Sequence, residues 1–268
     1  MKAKNMKAKT MKAIYLYVPL LALLTAFVGA QKATASVVVF EDDLTYTGWG
    51  AGANPMSAVW TATANFAAPQ TGTGAWPASY VKLNNATIYK GLSSAVTQDF
   101  SLTMTMFSES YGRSNWFAIT NSTGSSGYYI RWDGALASQY NGQGGIQIGE
   151  ISTAIAGHQT NPGTSLTSLI ASGHQAAGNN TIPFATITMT WVASSNTLGL
   201  WVDGTKKQEI VDASLSSFSR IYMSGNGDGL YGSVSLSTIP EPASTAGVFA
   251  VLSLGICVFM KSRKRRAL

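Results

Sequence analysis

The sequence predicts an all-β fold, a single jelly-roll-like β-sandwich, and three features of the chain support this class. Residues 99–107 (DFSLTMTMF) alternate apolar and polar side chains, which is the period of a half-buried strand. Residues 185–211 hold three further strand-like segments, and the last two are joined by Asp203-Gly204, a pair that favours the tight turn of a β-hairpin. Residues 36–239 show no sustained helical period, so two packed antiparallel sheets are the simplest fold.

The remaining strands are short apolar runs that Gly, Ser, Thr and Asn separate. They are predicted at residues 37–40, 116–120, 128–132, 142–148, 221–223 and 230–236. Residues 80–90 carry spaced apolar positions around a break at Asn84-Asn85, and residues 47–77 show no assigned element. Residues 149–180 are predicted to form a long polar loop that carries both histidines, His158 and His174, as solvated side chains, with metal ligands as the alternative.

The first 35 residues have the three parts of a signal peptide that is removed on export. Lysines at positions 2, 4, 7, 9 and 12 precede an apolar core at residues 14–30. Ala33 and Ala35 are the small residues that signal peptidase reads, so cleavage is predicted before Ser36. An uncleaved signal anchor is the alternative. Met-Lys-Ala occurs at positions 1, 6 and 11, and the choice of start codon among them stays open.

The last 29 residues also have three parts. Pro240, Glu241 and Pro242 are followed by the uncharged run 243–260. As a helix this run spans roughly 27 Å at about 1.5 Å per residue, enough for a hydrocarbon core. A basic cluster ends the chain: Lys261, Arg263, Lys264, Arg265 and Arg266. Cations beside a span tend to stay cytoplasmic, so residues 36–239 are expected outside the cytoplasm.

In order and spacing, these three parts resemble the PEP-CTERM sorting signal, a tail of exported bacterial proteins that is also catalogued as an ice-binding protein C-terminal domain. The resemblance covers residues 239–268. It implies recognition and cleavage near the motif by an exosortase, a membrane-embedded processing enzyme. The alternative is a plain C-terminal anchor that happens to contain Pro-Glu-Pro, and it leads to the same expected location.

Charge and cysteine content limit what residues 36–239 can do. This segment holds seven Lys or Arg and eleven Asp or Glu, a net charge of −4, whereas the whole chain is formally +6. The basic residues are therefore concentrated in the two ends, and no basic surface for nucleic acid is predicted. The one cysteine, Cys257, lies in the predicted span, so the exported part has neither a disulfide nor a thiol nucleophile.

The body also resembles a known fold family. The order ITMTW, SSN, LGLWVDG, IYMSG and GLYGSVSLS, within residues 97–237, is similar to concanavalin A-like and laminin-G-like jelly rolls. The resemblance implies a fold that is used by lectins, protein-binding modules and glycoside hydrolases, and the fold cannot choose among these functions.

A search for catalytic residues favours a noncatalytic module. Glycosidases need two carboxylates that face each other across the cleaved bond, and the resemblance implies a Glu-x-Asp-x-(x)-Glu strand that this chain lacks. The acidic residues are instead scattered, mostly in turns: Asp133, Glu150, Asp203, Glu209, Asp212 and Asp228. Metalloprotease, EF-hand and phosphate-loop motifs are also absent from the sequence. We therefore predict that the protein is not an enzyme.

Candidate ligand-binding residues come from aromatic rings and oxygen-rich turns. Trp132 and Tyr140, both near turns, are the predicted stacking rings for a sugar, whereas Trp116, Trp191 and Trp201 are predicted to be core or half-core rings. A calcium ion is one alternative at the acidic turn 41–43, or at the turn 224–229 with Asn226 and Asp228 as ligands. An ordinary turn is the other alternative, and the sequence identifies no metal.

These observations predict an exported bacterial surface or extracellular-matrix protein. Its domains are a signal peptide (1–35), a β-sandwich (36–239) that binds carbohydrate or protein or is structural, and a PEP-CTERM tail (240–268). Its expected partners are signal peptidase, an exosortase, the membrane and extracellular polysaccharide. An inner-membrane-anchored precursor would precede a cell-surface or extracellular form. The alternative function is a secreted polysaccharide-degrading enzyme on the same fold.

Overall fold

The prediction of an all-β sandwich is confirmed in the computed structural model. It describes residues 36–50, 53–63, 70–72, 80–108, 114–134, 142–159, 161–174, 184–225 and 229–239, all within the unit Ser36–Ile239. These residues form strands and one short 3-10 helix, Met56–Ala58. None of the described helices is long and apolar enough to cross a membrane. The signal peptide and the sorting tail lie outside the described residues and stay predictions.

The described residues contain sixteen strands. They are β1 (Val37–Asp42), β2 (Thr61–Ala62), β3 (Gln70–Gly72), β4 (Tyr80–Leu83), β5 (Ala86–Val96), β6 (Phe100–Ser108), β7 (Ser114–Thr120), β8 (Gly127–Asp133), β9 (Gly145–Ile151), β10 (Thr164–Ser165), β11 (Ile170–Ala171), β12 (Ala185–Val192), β13 (Thr197–Val202), β14 (Thr205–Val211), β15 (Phe218–Gly225) and β16 (Gly229–Thr238).

These strands build two antiparallel sheets. Sheet I has the order β14-β13-β12-β6-β16-β4-β3, and β1 also pairs with β16. Sheet II has the order β10-β9-β8-β7-β15-β5-β2, and β11 also pairs with β9. Because Val37 lies opposite Thr238, the first and last strands are neighbours, and the two ends of the unit emerge from the same sheet.

The main core fills the space between the sheets. Alternate residues of each strand point inward, and on β6 these are the predicted Phe100, Leu102, Met104 and Met106, all buried. The ring of Trp191 lies 6.0 Å from Phe100 and 5.1 Å from Phe218, measured between centroids. Aromatic packing thus joins β12 and β6 of sheet I to β15 of sheet II.

One hydrogen-bonding side chain also connects the sheets through the core. Tyr231 on β16 is fully buried, and its hydroxyl donates to the backbone carbonyls of Ser224 (2.6 Å) and Trp116 (3.2 Å) in sheet II. Burial raises the pKa of Tyr231 well above its usual value. The hydroxyl therefore stays protonated and keeps its role as a donor.

The hairpin between β13 and β14 forms as predicted. Asp203 and Gly204 adopt φ values of 49° and 74°, the left-handed conformation that this two-residue turn requires. The Asp203 carboxylate accepts a hydrogen bond from the Thr186 amide at 2.9 Å and lies 2.8 Å from Nδ1 of His174. His174 is therefore packed against this turn, and the prediction that it is a solvated loop residue was wrong.

Two other predictions about the chain are corrected. The polar region 149–180 contains the end of β9 and the short strands β10 and β11, because polar residues can pair along the edge of a sheet. The acidic turn begins two residues later than predicted, since both Glu41 and Asp42 belong to β1. The Asp42 carboxylate accepts hydrogen bonds from the Leu44 amide (2.8 Å), the Trp60 indole (2.7 Å) and the Tyr46 hydroxyl, which hold it in place.

Replacement of Trp191 by Ala should destabilise the sandwich by about 3–5 kcal/mol, because a large buried ring leaves a cavity between the sheets. The measurement is the free energy of unfolding from urea titration. Val211→Ala is the matched control, since Val211 lies on the same sheet but is 71% exposed, and it should change stability by less than about 0.5 kcal/mol. Equal unfolding midpoints for the two variants would contradict this assignment of the core.

Candidate functional site

The candidate functional site is the outer face of sheet II, the face that points away from sheet I. All seven residues of β7 are buried, although an antiparallel sheet usually leaves one face to solvent. Phe117 and Ile119 point into the main core, whereas Trp116 and Ala118 point outward. They belong to a second apolar cluster that also contains Tyr129, Ile151, Ile155 and Tyr222, with Tyr89 packed against it. We call this surface the sheet II face.

Strand register arranges the sheet II face in two rows. The first row is mostly aromatic and runs across five strands: Tyr89, Tyr222, Ala118, Tyr129 and Gly149. The rings of Tyr89 and Tyr222 are 5.3 Å apart. At the other end of the row Tyr129 lies over Gly149, where a Cβ atom would come within 2.0 Å of the tyrosine ring. Glycine therefore makes room for this ring.

The second row is mostly polar: Thr87, Ser224, Trp116, Arg131 and Gln147. Most of these side chains are held in place by hydrogen bonds or an ion pair with neighbouring side chains. Thr87 and Ser224 hydroxyls are 2.7 Å apart, and Gln147 donates to Ser165 at 2.9 Å. Arg131 donates to Ser114 at 3.2 Å and forms an ion pair with the nearly buried Asp133. The row is thus a preorganised set of donors and acceptors.

Two polar atoms, one in this row and one packed against it, have no hydrogen-bond partner among the described residues. Among the described residues, Arg131 Nε and His158 Nε2 are buried atoms without a hydrogen-bond partner. Such buried polar atoms are rare in native proteins because each one costs about 1–3 kcal/mol. They lie on either side of Trp116, since Arg131 is its neighbour on β8 and His158 contacts its neighbour Ser224 on β15.

A segment that we call the strap, residues 152–159 and 161–163, covers the sheet II face. It is held at four points, each on a different strand or turn. The Ile155 amide donates to Gly124 O (3.2 Å), and His158 Nδ1 lies 2.9 Å from Ser224 Oγ. Gln159 O accepts from the Trp116 indole (2.7 Å), and Asn161 Oδ1 accepts from the Tyr129 hydroxyl (2.5 Å).

The predicted stacking ring Trp132 is not part of this face. It is fully buried in the main core, its indole donates to Gln143 O at 3.3 Å, and it presents no ring face to a ligand. The reason is parity: on β8 the residues Tyr128, Ile130 and Trp132 point inward, while Tyr129 and Arg131 point outward. The other predicted ring, Tyr140, lies outside the described residues.

The remaining predicted site residues have mixed outcomes. Trp191 is a core ring, and Trp116 is buried, but on the outer face. Trp201 is half-exposed on sheet I, where its indole donates to Thr190 at 3.2 Å. His158 was predicted to be solvated, and its ring instead turns from the strap toward Ser224 of the sheet. Sequence analysis did not identify Arg131, Gln147 or Asn161, although the consecutive apolar residues Trp116 to Ile119 are typical of a strand that is buried on both faces.

The described residues offer little to a metal ion. In the described ranges no three His, Cys, Asp or Glu side chains are grouped as metal ligands. At the acidic turn, the Asp43 carboxylate accepts from the amide (3.2 Å) and the hydroxyl (2.7 Å) of Thr45, and Asp42 is engaged as described above. Asn226 and Asp228, the alternative calcium ligands, lie outside the described residues. The sorting residues Pro240, Glu241 and Pro242 and the cleavage residues Ala33 and Ala35 lie outside them too.

Comparisons with known proteins establish the fold. No protein-family model matches the sequence, and no curated protein is significantly similar to it. The structure of β-agarase A from Zobellia galactanivorans is similar with a TM-score of 0.56 at 11% identity, over 77% of this chain and 93% of that chain. The same protein in complex with oligoagarose has a TM-score of 0.54 at 11% identity, over 76% and 93%.

A third similar structure is the potassium-bound carbohydrate recognition domain of Emp46p, with a TM-score of 0.47 at 14% identity, over 76% of this chain and 97% of that chain. At such identities, similarity shows the fold alone. The chain has a jelly-roll-like β-sandwich fold similar to that of β-agarase A, as its resemblance to concanavalin A-like jelly rolls implied.

Replacement of Gly149 by Ala should destabilise the protein by about 1–3 kcal/mol, because the new methyl group collides with the Tyr129 ring. Gly91→Ala is the matched control on β5, where a Cβ atom would meet nothing within 4 Å. Urea unfolding measures both variants. A Gly149→Ala protein as stable as Gly91→Ala would show that Tyr129 does not lie across β9.

Burial lowers the pKa of His158, so the unfolded chain binds a proton more readily than the folded one. Stability should therefore fall as the pH is lowered from about 7.5 to about 5, through the range in which an ordinary His titrates. His158→Asn retains a donor toward Ser224 but does not titrate there. Its free energy of unfolding, measured with urea, should fall less over this range, and parallel curves would refute a buried neutral His158.

Proposed function

We propose that this protein is an exported, noncatalytic carbohydrate-binding module whose sheet II face holds polysaccharide. The observation that carries the proposal is the combination of aromatic rings with hydrogen-bonding side chains on one face of the sandwich. Similarity to β-agarase A, which was solved with oligoagarose, supports a fold that can accommodate a polysaccharide. That similarity identifies no ligand for this chain, so the argument rests on the chemistry of the face.

A sugar is matched by the two rows of the sheet II face. Its C–H surface is complementary to aromatic rings such as Trp116 and Tyr129, which the strap covers, and its hydroxyl groups both donate and accept hydrogen bonds. Arg131 Nε is a donor without a partner among the described residues. Ligand sites usually combine apolar walls with a few such polar groups.

The proposal of a noncatalytic role rests on the carboxylates. The acidic residues on the described strands of sheet II are Asp133 and Glu150. They lie on opposite faces of the sheet, because Asp133 shares the outer face with Arg131, whereas Glu150 pairs with the inward residue Tyr128. Asp133 is held by Arg131. Two carboxylates that face each other across a glycosidic bond are therefore not found on this face, so binding is favoured over the alternative of a secreted polysaccharide-degrading enzyme.

Export and sorting complete the proposed function. The signal-peptide pattern of residues 1–35 and the Pro-Glu-Pro, apolar and basic parts of residues 240–268 support processing by signal peptidase and by an exosortase. The membrane would hold the precursor, and the mature sandwich would act at the cell surface or in the extracellular matrix. The net charge of −4 on residues 36–239 disfavours binding to nucleic acid.

Arg131→Lys should weaken polysaccharide binding about fivefold, because it keeps a positive charge beside Asp133 but removes the Nε donor, a loss of about 1 kcal/mol. Affinity is measured by calorimetry on a panel of neutral oligosaccharides that includes oligoagarose. Lys206→Arg, on the edge strand β14 of sheet I, is the control and should bind as the wild type does. The module is refuted if neither the folded wild type nor a folded variant with a weakened strap binds any of the panel, and release of reducing ends refutes the noncatalytic role.

The mature protein should begin at Ser36 and end near Pro240, as measured by mass spectrometry of both termini in the membrane and extracellular fractions. Ala35→Phe should block the first cleavage, because a bulky side chain does not fit at the position where signal peptidase requires a small one. Recovery of the native chain from the cytosol with both termini intact would contradict export.

A further inference from the structure

We propose that the strap is an autoinhibitory cover that occupies the sheet II face in place of the ligand, and that a neutral, uncharged polysaccharide binds by displacing it. This inference rests on the proposed carbohydrate-binding function. It adds the class of polysaccharide and a mechanism that controls access to the site.

The strap presents to the sheet II face the same kinds of groups that a sugar presents. The strap offers neutral oxygen acceptors to two of the outward donors of the face, through Gln159 O to the Trp116 indole and through Asn161 Oδ1 to the Tyr129 hydroxyl. It also places the aliphatic side chain of Ile155 in the aromatic cluster. A sugar unit presents the same combination, an apolar surface beside uncharged oxygen atoms, so both can satisfy the same groups.

Charge is a second property that the strap shares with a neutral sugar. Residues 152–163 (STAIAGHQTNPG) contain no Asp, Glu, Lys or Arg, so the face beneath the strap is matched to an uncharged occupant. On the face, Arg131 forms an ion pair with Asp133, and the cation Arg220 lies at the end of the first row, 4.7 Å from the Tyr89 ring. A neutral polysaccharide replaces the strap without burying a new charge, whereas an acidic polysaccharide would bring carboxylates to a body of net charge −4 and lose their hydration there.

The strap can detach from the sheet II face without unfolding of the sheet. Among its described residues, only Ile155 and Pro162 are buried, and Ser152, Thr153, Ala154 and Gln159 are exposed. The described residues of the strap do not pair with any strand. Strand pairing resumes at Thr164 in β10, which pairs with β9. Segments with few buried contacts open more readily than the whole domain unfolds. The face itself stays in place, because Tyr231 binds the backbone of Trp116 and Ser224 from the opposite side.

These features predict a quantitative signature. If only the strap-open state binds, the apparent dissociation constant equals the intrinsic value divided by the open fraction. Weakening the strap without altering the sheet should therefore increase affinity, which is the reverse of the usual effect of truncation near a binding site. Binding should also favour the open state, so that saturating ligand makes the strap more exposed to solvent.

The experiment compares Ile155→Ala and Asn161→Ala with Ser195→Ala, a control in the turn between β12 and β13. Hydrogen exchange with mass spectrometry reports opening of residues 152–163, and calorimetry measures affinity for a panel of neutral oligosaccharides comprising oligoagarose, cello-oligosaccharides, xylo-oligosaccharides and manno-oligosaccharides. Both strap variants should exchange faster in the strap and bind the preferred sugar about tenfold more tightly. Ser195→Ala should match the wild type in both measurements.

The outcomes separate the two proposals. Faster strap exchange with unchanged or weaker affinity, or ligand that slows strap exchange in the wild type, would overturn the autoinhibitory role and leave carbohydrate binding intact. Preferential binding of an acidic oligosaccharide such as oligogalacturonate would overturn the assignment of a neutral ligand. If no variant binds any sugar although its strap exchanges faster, carbohydrate binding by the sheet II face fails together with this inference.

Discussion

Strand β7 is buried on both faces, and the organisation of the molecule depends on this constraint. Its inward side chains Phe117 and Ile119 meet sheet I, as a sandwich requires. Its outward side chains Trp116 and Ala118 would face water in an ordinary antiparallel sheet. The strap removes them from water, and Tyr231 holds the backbone of the same strand from inside. Sheet II is therefore the middle layer between a core and a cover.

The contrast with sheet I shows that the cover is not a general requirement of this fold. The outer face of sheet I carries hydroxyl side chains that bond to one another across strands, with Thr103 and Thr188 at 3.0 Å and Thr105 and Ser233 at 2.5 Å. Such side chains are satisfied by their neighbours and by water, and threonine is a good strand former on a solvent face. The sheet II face instead combines large rings with a guanidinium group.

The combination of aromatic rings and a guanidinium group also distinguishes the sheet II face from a purely structural apolar core. A cluster with a purely structural role would be more stable with apolar side chains in place of a buried ion pair, because desolvation of charges is costly. Arg131 and Asp133 nonetheless form such a pair here, and Arg131 has an N–H without a partner among the described residues. Polar groups held in place by their neighbours, beside aromatic rings, are the physical basis for assigning a ligand to this face.

The sequence by itself determined the all-β class, most strands and the Asp203-Gly204 hairpin, because side-chain alternation and turn chemistry are local properties. The proposed export and sorting rest on the sequence alone for the same reason. It could not determine which rings face a ligand: GYYIRWD has large side chains at both parities, so Trp132 and Tyr129 were indistinguishable until the packing of sheet I on sheet II selected the inner face. Only the tertiary structure brought His158 to Ser224, 66 residues away, because a strap is defined by long-range contacts that no local pattern encodes.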